Sequence, residues 1–357
     1  MGTKRTIHIV GTGTIGEPLI GLLLDLQSDL AVEEISFHKH SARLGDRARI
    51  KSLMRRGAKL AVEADKLADF EKIGLQPTYT RQEALEQASV VIECTEDGLG
   101  LRHKSEWYEP LTQPSGFIAQ GSEFGFGKMY AYGINDKVLV PGEDRFLQVV
   151  SCNTHNLAVL INTLALQGES ASNLVEGRFV CMRRATDLNQ ESSFIPAPDV
   201  GKHKDSQFGT HHARDAWHLF QTLGYDDLNL FSSAIKLNTQ YMHSIWFNIR
   251  VEQAVTRDDV VEKLEANPFV ALTHKTMSGP VFSFGRDHGY FGRILNHTVV
   301  VEPTLIVRDE HEIVGFCFTP QDGNSLLSST AAAAWFLDPN GYHERLQRLQ
   351  SFLFEEI

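Results

Sequence analysis

Residues 5–26 read RTIHIVGTGTIGEPLIGLLLDL, and how this stretch is read decides the fold. Thr6 to Val10 is short, apolar and rich in β-branched residues, as a buried strand should be. Gly11, Gly13 and Gly16 then stand in the spacing G-x-G-x-x-G, and a helical apolar run follows from about Ile15. In such a strand–turn–helix unit the first glycine permits the tight turn. The second lets a diphosphate approach the backbone, and the third lets helix and strand pack closely. The helix start then offers its N–H groups to phosphates. The pattern predicts a dinucleotide-binding domain.

Further along, VEEISFHKH forms a second short strand, and ASVVIECT and GFIAQGSEF are two more, each followed by a glycine turn. The loops carrying Thr95, Gly98 and Gly121 leave the carboxyl ends of these strands, where a parallel sheet binds its cofactor. The charged segment between Ser41 and Gly74 has a helical texture and a surface-facing composition. A site selective for NAD normally keeps a carboxylate at the end of the second strand. Here Glu33 and Glu34 come too early, and the strand ends in Lys39, flanked by His38 and His40 with Arg43 nearby. Lys39 would welcome a 2′-phosphate, so NADP is expected ahead of NAD, with tolerance of both; a solvated basic turn is the plain alternative.

The bulk numbers agree with two soluble domains. The chain has 357 residues, 42% hydrophobic and 22% charged, and such a length builds its own core without staples. A net charge of −11 argues against a general binder of nucleic acid or anionic membrane. No apolar run is long enough to span a bilayer, and IHIVG is too short for a signal peptide. Cys94, Cys152, Cys181 and Cys317 are widely spaced with no CxxC pair, which suggests a reducing cytoplasm. No Cys/His spacing resembles a zinc site, so no metal is expected.

After residue 150 the texture changes. LVEGRFVCMRRATD, SSAIKLNT, SIWFNIRVEQAV, LNHTVVVEPTLIV and EIVGFCFTP alternate apolar and polar residues, as strands with one wet face do. TRDDVVEKLEANP interrupts them as a helix capped by Thr256. NSLLSSTAAAAWFLDP and GYHERLQRLQSFLFEEI read as terminal helices that return to the first domain. The expected architecture is α/β. An N-terminal Rossmann domain with a mostly parallel sheet takes residues 1–151 and about 325–357. An α+β catalytic domain with an antiparallel or mixed sheet takes 152–324.

The chemistry turns on VVSCNTHNLAVLINTL, residues 149–164. Cys152 lies where an apolar strand gives way to helical spacing at Leu157, Leu160, Ile161 and Leu164. The positive end of a helix favours a thiolate. Amides around Asn153 and Thr154 would lack intrahelical acceptors and could hold an oxyanion. Free cysteine is also one of the most buried residue types, and by that measure Cys94, Cys181 and Cys317 belong to the core.

GTGTIG at the start, SCNT after residue 150, then RRATD, an HH pair and YMH ahead of TRDDVVEKLEANP occur in this order over nearly the whole chain. In these motifs the sequence resembles archaeal-type (class II) glyceraldehyde-3-phosphate dehydrogenases. The resemblance implies a Rossmann domain interrupted by a catalytic domain, a homotetramer, and NADP with NAD as second cofactor. It implies Cys152 as nucleophile and His243 as general base. Ser151, Asn153, Thr154, Arg183, His211 and His212 would hold the substrate, and one of Arg183 and Arg184 would instead sit in an ion pair. Gly11, Gly13, Thr14, Ile15, Gly16, Lys39, Thr95, Gly98, Gly121, Arg184, Gln321 and Asn324 would hold the cofactor.

The resemblance is broken at His155 and Asn156, where the family has threonine and glycine, at Ile245 in place of a second histidine, and by a longer segment after Lys39. These changes cluster at substrate and cofactor positions. Unperturbed histidine titrates near pH 6.5, so His243 is expected to work near its own pKa. The reaction implied is oxidation of a phosphorylated aldehyde, with inorganic phosphate, to an acyl phosphate. Two other readings stand beside it: a semialdehyde dehydrogenase or acyl-phosphate reductase of amino-acid synthesis, and a non-enzymatic NADP-binding redox sensor.

Overall fold

A computed structural model describes residues 5–121, 123–166, 170–186, 195–320 and 322–357. The chain divides into two compact units. The first comprises Met1–Tyr130, Leu139–Val149 and Leu326–Arg348, and the second Ala131–Val138, Val150–Ser325 and Leu349–Ile357.

The first unit is built on an eight-stranded sheet whose paired strands all run parallel. Its strands are β1 (Thr6–Val10), β2 (Glu34–His38), β3 (Lys59–Val62), β4 (Tyr79–Thr80), β5 (Val90–Glu93), β6 (Gly116–Ala119), β7 (Lys128–Tyr130) and β8 (Phe146–Val149). Their order is β4-β3-β2-β1-β5-β6-β8-β7. From β1 the chain winds outward to one edge, then restarts at β5 and winds toward the other. The order therefore reverses between β1 and β5, and a parallel sheet opens its ligand crevice at such a switch point. Ile7, Ile9, Phe37, Leu60, Ile92, Phe117 and Leu147 are fully buried, because strands covered on both faces read as nearly continuous apolar runs. That is why β3 escapes a reading by periodicity. Its four residues KLAV lie within the charged segment expected to be helical, yet Leu60, Ala61 and Val62 are core.

The second unit carries a mixed sheet of β9 (Leu174–Arg183), β10 (Asp199–Val200), β11 (Leu230–Lys236), β12 (His243–Val251), β13 (Val270–Thr273), β14 (Thr298–Val301), β15 (Ile306–Arg308) and β16 (Glu312–Thr319). The order is β10-β11-β9-β12-β16-β14-β13, with β15 paired to β16. The expected alternation is present. In β12, Ile245, Phe247 and Ile249 are buried while Trp246 and Asn248 between them are half-exposed. The helix Arg257–Glu265 starts with Thr256 accepting the Asp259 N–H, and Asp259 returns a bond to the Thr256 N–H. The C-terminal segment is less helical than its sequence suggests. After the helix Gly323–Leu337 there is one turn, Tyr342–Arg345, then a 3₁₀ segment Gln347–Phe352. The last residues are extended against β13, where the Ile357 N–H donates to Leu272.

Candidate active site

In the first unit Val10 stands in register with His38 of β2 and Glu93 of β5, and the glycine turn leaves from this point. Gly11 has φ +100° and donates its N–H to the His38 carbonyl at 3.3 Å. A Cβ there would lie 2.7 Å from the Cys94 carbonyl oxygen, and one at Gly16 would overlap the Gly11 carbonyl. Gly13 differs. It is exposed, and its nearest neighbour to a Cβ would be the Cys94 oxygen at 4.0 Å. Packing within the fold explains Gly11 and Gly16. An open backbone face explains Gly13, and a bound diphosphate requires such a face. The cradle fits a dinucleotide.

Thr14 lies within the turn and Ile15 caps the helix Gly16–Asp25. Across the switch point, Glu93 ends β5. Its carboxylate accepts bonds from the Thr95 N–H (2.8 Å), His103 Nδ1 (2.7 Å) and the Tyr108 hydroxyl (2.6 Å). Burial would push that carboxyl up, but these bonds outweigh it and hold it below the usual range. His103 stacks on Trp107 at 3.7 Å, and the Arg81 guanidinium lies 3.9 Å from the Trp107 ring centre. The loop after β5 is thus braced from beneath. Its Thr95 Oγ1 is buried without a partner among the described residues. Gly98 turns the chain at φ +84° and gives its N–H to Glu123. Gly121 follows Gln120, whose amide binds Ser329 at 3.0 Å. Lys39 pairs with Asp46 at 2.8 Å.

In the second unit Cys152 is the first residue of the helix Cys152–Ile161 and is half-exposed. Ser151 caps the helix, its hydroxyl accepting the Thr154 N–H at 3.3 Å. The Thr154 amide is therefore engaged, contrary to the expectation that it and Asn153 are both open. The Asn153 amide makes no hydrogen bond among the described residues. The turn is held from outside. Asn324 Nδ2 donates to the Cys152 carbonyl at 3.0 Å and to the His297 carbonyl at 3.3 Å. The Thr319 hydroxyl donates to Asn153 Oδ1 at 3.0 Å and accepts from Asn156 Nδ2 at 3.0 Å, while Cys317 Sγ donates to Asn156 Oδ1. Asn153 and Asn156 are buried, and this chain answers their polar groups. Among the other cysteines, burial raises the Cys317 thiol to about 12 and pushes the Cys94 and Cys181 thiols up as well. They stay protonated.

His243 opens β12 directly opposite Thr319 of β16, which brings it beside the strand that holds Asn153. Its Nδ1 accepts the Arg184 N–H at 3.0 Å. Burial first, then the charges of Arg184 and Arg183, lower its pKa to about 3. The ring is therefore neutral at working pH and, with Nδ1 accepting, carries its proton on Nε2. Titration near 6.5 was expected from an unperturbed histidine; desolvation and two guanidinium groups remove it.

Of the arginine pair, Arg183, the last residue of β9, is exposed, and Arg184, just past the strand end, is buried. Arg184 donates to the Tyr241 carbonyl at 3.3 Å and lies 4.0 Å from the Asp322 carboxylate. His211 and His212 begin the helix His211–Gln221 with ring centres 4.0 Å apart. His212 is buried, and neither ring nitrogen has a hydrogen-bond partner among the described residues. Burial, then His211, Arg183 and His243, hold it far below the normal histidine range. His211, His212 and His243 thus share one neighbourhood with Arg183, and the arginines supply its positive charge. Gln321 lies outside the described residues. Two contributors, Thr319 and Asp322, escape sequence reading. Thr319 and Asn156 meet across 163 residues, and Asp322 shows only the turn signal of an Asp-Gly pair, realised at φ +58°.

No family model matches the chain. It is 28% identical to a glyceraldehyde-3-phosphate dehydrogenase of Methanobacterium bryantii, over 75% of this chain and 74% of that protein. It is likewise 28% identical to glyceraldehyde-3-phosphate dehydrogenase 1 of Methanosarcina barkeri, over 80% and 78%. To the protein of that name from Metallosphaera sedula it is 24% identical over 85% and 84%. These likenesses support an oxidoreductase, and each of the three relatives bears the name glyceraldehyde-3-phosphate dehydrogenase.

Proposed function

We propose that the protein is a phosphorylating aldehyde dehydrogenase of the archaeal class. It would oxidise glyceraldehyde 3-phosphate, or a similar phosphorylated aldehyde, to an acyl phosphate through a thioester on Cys152. The observation that carries this is the half-exposed Cys152 at a helix start, braced by Asn324 and by the Asn153–Thr319 bond, with His243 on the neighbouring strand.

The positive helix end favours the thiolate of Cys152, which adds to the aldehyde carbon and leaves a charged oxygen. The Asn153 amide and the Nε2–H of His243 are the donors available to that oxygen. His243 serves here as a donor rather than the expected base, because its Nδ1 is already committed to Arg184. A nicotinamide cofactor, when bound, supplies the hydride acceptor. As the oxygen re-forms its carbonyl, Cys152 is left as a thioester, and no further proton has to be removed. Inorganic phosphate then attacks the thioester and frees the thiolate; the reverse reaction retraces these steps.

Arg183, with the rings of His211 and His212 beside it as hydrogen-bonding groups, favours a phosphorylated substrate over an unphosphorylated semialdehyde, since the guanidinium charge suits a dianion. Gly11, Gly13, Gly16, Thr95, Gly98 and Gly121 would line the dinucleotide. Lys39 would meet a 2′-phosphate, which is the basis for NADP, with NAD as second cofactor. Asn324 acts through the Cys152 carbonyl as a positioning residue. A homotetramer in the cytoplasm is part of the same reading. It is supported by the apolar row Val180, Trp246 and Phe316, in register on the second sheet and partly exposed. No helix among the described residues is long and apolar enough to cross a membrane.

The test is a screen of purified protein against phosphorylated and unphosphorylated aldehydes with phosphate, comparing NAD with NADP. Turnover confined to phosphorylated aldehydes is expected; turnover of amino-acid semialdehydes alone would overturn the assignment.

A further inference from the structure

Asp46 lies in the segment that follows Lys39, on a short 3₁₀ turn, Leu44–Asp46, leading into the helix Arg47–Arg55. Its carboxylate reaches back to the end of β2, with Oδ2 2.8 Å from Lys39 Nζ and Oδ1 4.0 Å from Arg49. Arg49 is held in turn by the glycine turn, giving Nε to Glu17 at 2.7 Å and Nη2 to the Thr12 carbonyl at 3.3 Å. Lys39 itself adjoins that turn, since the preceding residue, His38, accepts the Gly11 N–H. Two cations and two carboxylates therefore rim the mouth of the cradle, each cation already matched. Lys39 and Asp46 are about one-fifth exposed, so the pair faces solvent and can open.

We infer that Asp46 sets the choice between the two nicotinamide dinucleotides by holding Lys39, so that a 2′-phosphate must displace a carboxylate to reach it. This rests on the cofactor reading proposed above and refines it. A ribose 2′-hydroxyl has no charge and loses nothing to Asp46. A 2′-phosphate meets the Asp46 charge at close range and must compete for the one ammonium group at the strand end. The chain consequently accepts both dinucleotides, with the preference for the phosphorylated one held down. Removing the Asp46 charge frees Lys39 and lifts the repulsion together.

The experiment is fluorescence titration of the full-length wild type, Asp46→Asn and the double variant Lys39→Ala/Asp46→Asn with NADPH and NADH. It is run at low ionic strength and at about 0.5 M salt. Asp46→Asn should bind NADPH about five- to ten-fold more tightly at low salt, the scale of one partly exposed charge pair. NADH affinity should stay within about two-fold. The gain should shrink in high salt and vanish in the double variant. An unchanged ratio of the two affinities, or equal tightening of both, overturns the inference while leaving the cofactor reading intact. If neither dinucleotide binds any of the three proteins, both fall.

Discussion

The backbone N–H of Arg184 donates to Nδ1 of His243 across 3.0 Å. One peptide group thereby dictates the protonation pattern of the ring. Because Nδ1 accepts, Nε2 must carry the hydrogen, and a neutral His243 donates rather than abstracts.

The pH dependence of acylation should follow from that bond. With a pKa lowered to about 3, His243 stays neutral throughout the physiological range, so the rate should show no inflection near 6.5. Single-turnover measurements between pH 5.5 and 8, alongside nitrogen NMR of the labelled ring, test this. Loss of the imidazole in His243→Ala should slow acylation about 100- to 1,000-fold, the range for one oxyanion donor.

Acid should destabilise the fold through its buried rings. His8, His243 and His297 are lowered to about 3, 3 and 4, each first by burial. Their folded pKa values lie below the unfolded value of 6.5, so above that pH they are neutral in both states and contribute no pH dependence. As pH falls below 6.5 the unfolded chain binds protons that the folded chain refuses. Stability should drop by about 1.4 kcal/mol per pH unit for each ring until the folded pKa is reached. Urea unfolding at pH 7, 6 and 5 measures the slope. His8→Asn should flatten it by one ring's share.

Gly13 separates a folding role from a binding role. A Cβ at Gly11 or Gly16 meets backbone closely, whereas one at Gly13 has only the Cys94 oxygen near it, at 4.0 Å. Gly13→Ala should leave the unfolding free energy within about 0.5 kcal/mol of the wild type. It should nonetheless weaken dinucleotide binding by about ten-fold or more, because the second glycine is there for the diphosphate. Gly16→Ala should lose stability as well as binding.

The Thr319 hydroxyl sits between Asn153 and Asn156. Thr319→Val strands two buried amide groups and should cost about 1–3 kcal/mol of stability. It should also slow acylation more than it weakens dinucleotide binding. Thr319→Ser keeps the hydroxyl and should recover most of the rate, an outcome that loss of packing alone would not give.

Much of this was legible in the sequence. The glycine turn after β1, the alternation along β12 and the Thr256 cap depend on residues close together in the chain, where period and propensity act directly. The same holds for Cys152 at a helix start. The buried strand β3 was hidden because four apolar residues between charged helices carry no period of their own. The final segment reads as helix, but its last residues extend along β13 because an open strand edge there offers hydrogen bonds. The tautomer of His243, the Thr319 bridge and the Lys39–Asp46 pair each join residues from different elements. Strand register and loop length set them, and no local pattern records either.

The most direct measurement is to mix the protein with glyceraldehyde 3-phosphate and NADP or NAD in the absence of phosphate, quench in acid, and map the acylated peptide by mass spectrometry. One acyl group on the peptide bearing Cys152, absent from Cys152→Ser and discharged when phosphate is added, is the predicted result. Cofactor reduction with no acyl group on Cys152, or undiminished turnover by Cys152→Ser, would contradict it.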